Sequence, residues 1–255
     1  MSQIRETSLR RGIAILEALA SDHAVRNGGL RVTDLVEVVG REKSQVSRTL
    51  RTLADLGLVE RDDGLRHRLS WRFYLLGAHG GRLRLLEQAS PLLRHLVDEL
   101  GERAHLSVLQ DDQVLTLLSE SSPHSVQAAG WSGRTVPCWC TASGRALLFD
   151  HDEGSLAALC ADTDFSGRGP NAPSSVAELH ERIRQARERG VAVVVDEFEE
   201  GLVAVAAPVR DVDGRLVAVL NVSGPTFRLS PGLVAAATAV ADAARDLTRA
   251  LGPTR

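Results

Sequence analysis

One short stretch carries side chains of the kinds that contact DNA. At the helical period of about 100° per residue, Val46, Leu50 and Leu53 share one face of residues 41–59. The opposite face and its flanks carry cationic, hydroxyl and amide groups, namely Lys43, Ser44, Gln45, Ser47, Arg48 and Arg51. Arginine and lysine bind phosphate or guanine, glutamine pairs with adenine, and serine accepts or donates at either. We therefore predict that this face reads the major groove of duplex DNA, with a solvated amphipathic helix as the alternative.

A second candidate chemistry lies in the sequence Cys138-Trp-Cys140. A predicted strand over residues 135–140 would place both thiols on one face, with Cys140 just before a helix N-terminus. A helix N-terminus lowers a thiol pKa, so a GAF-type thiol redox sensor or enzyme that uses Cys140 is the alternative function. Zinc would need further ligands, and His124, His151 and Cys160 show no recognised spacing. No catalytic set, metal site or cofactor is predicted.

The elements around the polar-faced helix have the order of a helix-turn-helix. Leu9, Ile13 and Leu16 share a face in a first helix, and a short helix over residues 32–39 follows and ends at Gly40. After a tight turn comes the polar-faced helix, which Gly57 ends because glycine adopts the left-handed conformation without steric cost. We expect residues 1–72 to form a winged helix-turn-helix DNA-binding domain.

The wing is predicted from two strands, residues 58–61 and 65–69, around the turn Asp62-Asp63-Gly64. In the second strand Arg66 and Arg68 share one face, which suits phosphates or the minor groove. His67 lies on the other face and is expected to pack against the protein.

Residues 73–103 are predicted to form a linker helix and dimerisation segment. A helix begins near Trp71, and leucines continue at helical spacing from Leu83 to Leu100, with Pro91 in a first turn. Residues 104–255 then alternate hairpins with segregated helices, including strands predicted at 125–129 and 135–140. This pattern favours an α+β fold with an antiparallel sheet.

Composition sets the remaining limits. The 255 residues suit two domains, and the formal net charge is −3. Residues 1–72 carry 13 basic and 10 acidic side chains, whereas the remainder carries 17 and 23. A mildly basic head on an acidic body suits a DNA-binding protein with a separate module. Three cysteines, an N-terminus without an apolar signal segment and short apolar runs predict a cytoplasmic protein without a membrane span.

Six segments together resemble one protein family. They are Leu9-Arg-Arg-Gly-Ile-Ala-Ile-Leu16, Lys43-Ser-Gln-Val-Ser-Arg48, Gly130-Trp-Ser-Gly-Arg-Thr-Val-Pro137, Thr141-Ala-Ser-Gly-Arg-Ala-Leu-Leu148, Glu199-Glu-Gly-Leu-Val-Ala-Val-Ala-Ala-Pro-Val209 and Asn221-Val-Ser-Gly-Pro225. Their order is similar to that in the IclR family of bacterial transcriptional regulators. The resemblance implies a winged helix-turn-helix, a linker helix and a C-terminal GAF/PAS-like effector domain over residues 104–255. It also implies a homodimer or dimer of dimers, a (pseudo)palindromic operator and a small organic acid as effector.

The same resemblance suggests where the effector binds. Ala142 and Ser143 occupy the family's effector loop and helix N-terminus, a position suited to a carboxylate. The remaining expected pocket residues are supplied by strands and their flanks: Ala128, Val136, Val194, Leu202, Ala204, Asn221 and Ser223. Many members carry an aspartate where this chain has Val194, and a cysteine where it has Ala204. We therefore expect a larger and less polar effector than glyoxylate or pyruvate.

Overall fold

The structure is a computed structural model that describes residues 8–78, 83–121 and 131–252. The chain divides into two compact units, residues 1–83 and 84–255. The strand predicted at residues 125–129, and with it His124 and Ala128, lies outside the described residues. No helix of the described ranges is long and apolar enough to cross a membrane.

The first unit is a helical domain with a small two-stranded wing. Its elements are α1 (Ser8–Ala20), α2 (Asp22–Arg26), α3 (Val32–Val39), α4 (Lys43–Asp55), β1 (Val59–Arg61), β2 (His67–Leu69) and α5 (Trp71–Ala78). Leu35 of α3 and Val46, Leu50 and Leu53 of α4 form its core with residues of α1. The predicted helix, short helix, turn and polar-faced helix are confirmed as α1, α3 and α4, and an additional short helix, α2, lies between the first two.

The face of α1 that packs inward differs from the predicted one. Leu9 and Ile13 are exposed, whereas Ile15 and Leu19 are buried. Both sets repeat every four residues, so spacing alone does not distinguish them. The buried face also contains Gly12, and a Cβ there would lie 4.0 Å from Leu53. Gly12 therefore lies where α1 contacts α4, and the packing of these two helices decides which face of α1 is buried.

The second unit is a six-stranded antiparallel sheet with helices on both faces. Its elements are α6 (Leu83–Leu100), β3 (Arg103–Gln110), β4 (Gln113–Glu120), β5 (Thr135–Pro137), α7 (Ala142–Leu147), α8 (Glu153–Leu159), α9 (Val176–Arg189), β6 (Ala192–Val195), β7 (Leu202–Arg210), β8 (Leu216–Pro225), α10 (Thr226–Leu229) and α11 (Leu233–Leu251). The strand order is β5-β4-β3-β8-β7-β6, and all neighbours are antiparallel. The predicted α+β class is confirmed. Pro91 lies inside α6 rather than in a first turn.

Strand alternation separates the two faces of this sheet. Leu106 of β3 and Leu220 and Val222 of β8 belong to the core shared with α6 and α11. Their neighbours along each strand must point to the opposite face, because side chains alternate with a period of two. That face carries His105 and Asn221, which are cross-strand partners, and is covered by α7, α8 and α9.

The strand predicted over residues 135–140 is shorter in the structure. β5 ends at Pro137, and Cys138, Trp139 and Cys140 lie in a bend and turn that lead into α7. The carbonyl of Cys138 lies so close to Gly144 that a Cβ there would come within 1.9 Å of it. The two thiols therefore do not share a strand face, because the chain turns to pack against α7.

Candidate nucleic-acid interface and candidate ligand cavity

The outer face of α4 is open to solvent. Lys43, Ser44, Ser47, Arg48 and Arg51 are exposed, and Gln45 is half-buried. Because the three apolar residues of α4 are buried, the polar residues can only face outward. The three cations have no acidic neighbour on α4 before its last residue, Asp55. Residues 43–54 therefore offer positive charge and hydrogen-bonding groups without a carboxylate, and Asp55 follows one turn after Arg51.

Two glycines set the ends of the segment that carries this face. Gly40 ends α3 with φ +66°, and its N–H donates to the carbonyl of Val36 at 2.9 Å. Gly57 follows α4 with φ +70°, and the N–H of Leu58 donates to the carbonyl of Leu53 at 2.9 Å. Left-handed residues close helices in this manner because they satisfy the last carbonyls. The short turn between α3 and α4 holds the polar face in a fixed orientation within the unit.

The wing differs from its predicted form. β2 begins at His67, so Arg66 lies in the turn before it, and its Nη1 donates to the carbonyl of Gly29 at 3.0 Å. Arg68 is exposed and its Nε lies 2.7 Å from a carboxylate oxygen of Glu60 on the paired strand. His67 is buried and bridges to Leu30, which agrees with a packing role. Both arginines thus have partners inside the unit, because the strand pairing places acceptors beside them.

A cavity of about 350 Å³ lies on the α7-covered side of the sheet. It is lined by all eight described residues of the expected pocket, which are Val136, Ala142, Ser143, Val194, Leu202, Ala204, Asn221 and Ser223. These side chains come from four strands and one helix, over a span of almost 90 residues. The strand order brings them together because β8 lies beside β7 and β3 in the centre of the sheet.

Sequence reasoning missed the part of the cavity wall that β3 and β4 supply. Arg103, His105 and Ser107 alternate along β3 and line the cavity, together with Thr116 of β4. Trp131 and Phe198 add aromatic surface. The period of two in residues 103–107 was a usable signal, because three polar residues at alternate positions of a central strand are unusual on a buried face.

His105 is a buried ionisable group of this wall. Its side chain is 7% exposed, and its ring makes an edge contact with Trp131 at 5.9 Å between centroids. Burial lowers its pKa to about 4, and the charge of Arg103 contributes in the same direction. The imidazole is therefore neutral near pH 7, with one nitrogen protonated and the other an acceptor.

The helix that covers the cavity is short. α7 has six residues, and the hydroxyl of its N-cap Thr141 accepts the N–H of Gly144 at 3.1 Å. The N-terminus of this helix is the position suggested for a carboxylate, and one of its N–H groups is thus already bonded to Thr141. Ala142 and Ser143 remain part of the wall. On β8, Asn221 donates from Nδ2 to the carbonyl of Val205 at 3.2 Å, which fixes its amide.

An ion pair borders the cavity at Glu102 and Arg228. Nε and Nη2 of Arg228 donate to the two carboxylate oxygens of Glu102 at 2.6 and 3.0 Å. The side chain of Glu102 is buried, and it packs so closely on Gly224 that a Cβ there would lie 2.6 Å from its carboxylate carbon. This bidentate pair links the start of β3 to α10 and closes one side of the cavity wall.

A second network of charged side chains connects α7 to its neighbours. Arg145 donates to the carboxylate of Glu197, and both side chains are buried. Arg182 of α9 also contacts Glu197, at 3.0 Å. Arg145 Nη1 donates further to the carbonyl of Val193 at 3.2 Å. The network joins α7, α9 and the residues after β6, and therefore holds the helix that covers the cavity.

The cysteines lack the environment of reactive thiols. Cys138, Cys140 and Cys160 are all buried and unbridged. Burial raises the pKa of Cys138 to about 12 and that of Cys140 to about 11. This direction is opposite to the one expected beside a helix N-terminus, because desolvation of the thiolate dominates. Within the described ranges, no group of three or more histidine, cysteine or acidic side chains is placed to hold a metal ion.

Two family models match the chain. Residues 8–63 match the IclR helix-turn-helix domain, and residues 79–249 match the model described as bacterial transcriptional regulator IclR C-terminal. Together these matches cover both units and most of the 255 residues.

Individual relatives agree with these matches. The Pca regulon regulatory protein of Pseudomonas putida is 31% identical over 226 residues, which are 88% of this chain and 76% of that protein. The HTH-type transcriptional regulator BhcR of Paracoccus denitrificans is 31% identical over 249 residues, 96% of this chain and 88% of that protein. A crystal structure of an IclR homolog complexed with 4-hydroxybenzoate, from Microbacterium hydrocarbonoxydans, has TM-score 0.73 at 21% identity and covers 96% of this chain and 99% of that one.

Proposed function

Since the chain belongs to the IclR family of bacterial transcriptional regulators, we propose that it is a ligand-responsive, sequence-specific DNA-binding regulator of the bacterial cytoplasm. Its first unit would bind an operator, and its second unit would bind a small organic acid that changes the operator affinity. The observation that carries the proposal is one chain with an exposed cationic face on α4 and, in its second unit, a cavity whose wall combines apolar surface with polar side chains such as His105 and Asn221. Such cavities are the usual form of small-molecule sites.

The DNA-binding half rests on the exposed side chains of α4. Arg48 and Arg51 lie one turn apart, and Ser44 and Ser47 are exposed beside them. Nε of Arg48 donates to the carbonyl of Ser44 at 3.3 Å, which orients the guanidinium along the exposed face. Lys43, Gln45, Arg66 and Arg68 are proposed as further contacts, the last two through phosphates at the wing.

We test this half with duplexes selected from a random DNA library by the full-length protein. Arg48→Ala should weaken binding by about 5-fold or more, because a good arginine–guanine contact contributes roughly 1–3 kcal/mol. Arg189→Ala, an exposed arginine of α9, is the matched control and should leave affinity unchanged. Cys140→Ser should also leave it unchanged.

The opposite pattern would contradict the proposal. Wild-type binding that does not weaken with salt, or that depends on Cys140 and not on Arg48, would remove the DNA-contact assignment for α4. Electrostatic contacts to phosphates must weaken as salt rises, because binding releases counterions.

The effector half rests on the size and lining of the cavity. Its volume of about 350 Å³ falls within the range of roughly 300–1,000 Å³ for ligand pockets. Val194, Leu202 and Ala204 make the β6–β7 side apolar, and Trp131 and Phe198 add aromatic surface. We infer an aromatic or alkyl carboxylate, more hydrophobic than glyoxylate. The Microbacterium protein is complexed with 4-hydroxybenzoate, an acid of this class.

Calorimetric titration of the full-length protein distinguishes the two acid classes. Benzoate should bind more tightly than glyoxylate or pyruvate, because it fills more of an apolar cavity. Val194→Asp should reduce the affinity for benzoate, since it puts a charge into a side that is buried in the structure. Saturation by glyoxylate at micromolar concentration, without a response to hydrophobic acids, would contradict the proposed class.

We propose a homodimer, or a dimer of dimers, acting on a (pseudo)palindromic operator. Trp71 and Leu76 of α5 and Leu83 of α6 are exposed, by 80, 64 and 47%. Large exposed apolar side chains of this kind mark interaction surfaces. A two-fold dimer would present two copies of α4 to two half-sites. Light scattering should give a mass of at least two chains, and a monomer at micromolar concentration would contradict the assignment.

A further inference from the structure

One buried polar atom on the cavity wall has no hydrogen-bond partner among the residues that the structure describes. Nδ1 of His105 is buried and makes no hydrogen bond in the described part of the chain. Folded proteins leave few buried polar atoms unpaired, and each such atom calls for an explanation. Since the His105 side chain is more than nine-tenths buried and lines the cavity, a bound molecule is the partner that the site can supply.

The ring is held in place and is neutral. Trp131 contacts it edge-on with the ring planes at 61°, and β3 is a central strand paired on both sides. Burial keeps its pKa near 4, so both a donor and an acceptor nitrogen are present near neutral pH. A hydroxyl group also donates and accepts, and therefore matches either nitrogen. A second carboxylate only accepts, and its desolvation here would cost more.

The position of His105 separates it from the apolar side of the cavity. His105 lies on β3, and Val194 lies on β6, three strands away in the sheet. With neighbouring strands about 4.8 Å apart, these two parts of the wall are separated by roughly 14 Å. The cavity therefore has a polar side at β3 and β8 and an apolar side at β7 and β6.

We infer that His105 is a specificity-determining residue, which hydrogen-bonds a hydroxyl group carried by an organic acid bound in this cavity. The inference rests on the proposed function, because it adds one chemical property to the effector class given above. The preferred effector is then a hydroxy acid with an aromatic or alkyl body. Its hydroxyl pairs with the imidazole, and its hydrocarbon body contacts the β6–β7 side.

Calorimetric titration of the full-length protein with benzoate, 3-hydroxybenzoate and 4-hydroxybenzoate tests this assignment. At least one hydroxybenzoate should bind about fivefold or more tightly than benzoate, because benzoate leaves the buried imidazole unpaired. His105→Phe should bind benzoate within about twofold of wild type and show no preference for the hydroxyl. His105→Gln, which keeps a hydrogen-bonding side chain, should retain part of that preference.

His180→Phe is the matched control, because it makes the same substitution at a histidine of α9 that does not line the cavity. It should keep the full preference. Thermal unfolding checks that each variant is folded, and His105→Leu replaces His105→Phe if the larger ring destabilises the protein.

Each remaining result overturns the inference. The inference is overturned if the wild type shows no preference for the hydroxyl, or if the preference persists in the apolar variants of His105. It is also overturned if His180→Phe loses the preference to the same extent as His105→Phe. Benzoate binding without any hydroxyl preference would leave the proposed function standing. Failure of every acid to bind would contradict the proposed effector class as well.

Discussion

Replacing Glu197 by glutamine should destabilise the second unit strongly. Its carboxylate accepts from Arg145 and lies 3.0 Å from Arg182. The side chains of Arg145 and Glu197 are only 5 and 7% exposed, and Nε of Arg145 already lacks a partner among the described residues. Glu197→Gln therefore leaves a buried guanidinium without a counter-charge.

The expected size follows from this burial. Breaking a buried ion pair by removing one partner costs about 3–5 kcal/mol, because the remaining charge stays desolvated. The side chain of Arg182 is 27% exposed, so water partly screens the network and the lower end of that range applies. For a unit of 150–250 residues, each kcal/mol shifts Tm by about 2–4 °C. We therefore expect Tm of the second unit to fall by about 6–12 °C.

Differential scanning calorimetry of the full-length protein measures this shift. Glu181→Gln is the control, since it breaks the exposed pair between Glu181 and Arg184 on α9, where both side chains are 50% exposed. Its effect should be much smaller, because exposed ion pairs contribute little. Adding Arg145→Met to Glu197→Gln should restore part of the lost stability. Equal shifts in Glu197→Gln and Glu181→Gln would refute the assignment of a buried, stabilising pair.

Two further predictions concern the cavity and its walls. Gly144→Ala should destabilise the protein by roughly 1–3 kcal/mol in chemical denaturation, because the new Cβ would lie 1.9 Å from the Cys138 carbonyl oxygen and overpack the contact with α7. A Gly144→Ala variant as stable as the wild type would contradict this close contact. Stability should also fall as the pH drops from about 6.5 to 4, since the unfolded chain takes up the proton of His105 in that range and the folded chain does not. The loss of unfolding free energy due to His105 is about 3 kcal/mol, at roughly 1.4 kcal/mol per pKa unit. Denaturation curves measured at pH 7 and pH 4.5 should show this loss in the wild type and not in His105→Phe.

Local patterns in the sequence determined most of the elements and the exposed face of α4. The spacing of Val46, Leu50 and Leu53 determines which side of α4 is buried, and hence that Ser44 and Arg48 are exposed. Period-two alternation likewise assigns Asn221 and Ser223 to one face of β8. These features follow from periods of 3.6 and 2 residues, which depend only on neighbours along the chain. The resemblance to the family then supplied the eight described cavity residues.

Tertiary contacts decided what local periods leave open. α1 turns Ile15 inward rather than Leu9, because its packing against α4 buries that face. Arg66 donates to Gly29, which lies 37 residues earlier, and Glu197 binds Arg145 across 52 residues. Likewise, the sequence does not reveal that Nδ1 of His105 lacks a hydrogen bond among the described residues, because β8, β4 and the cavity surround it only in the folded unit. The partners, the burial and the shifted pKa values of such groups come from segments distant in the chain. Repeats of 3.6 or 2 residues contain no information about which distant segments come into contact.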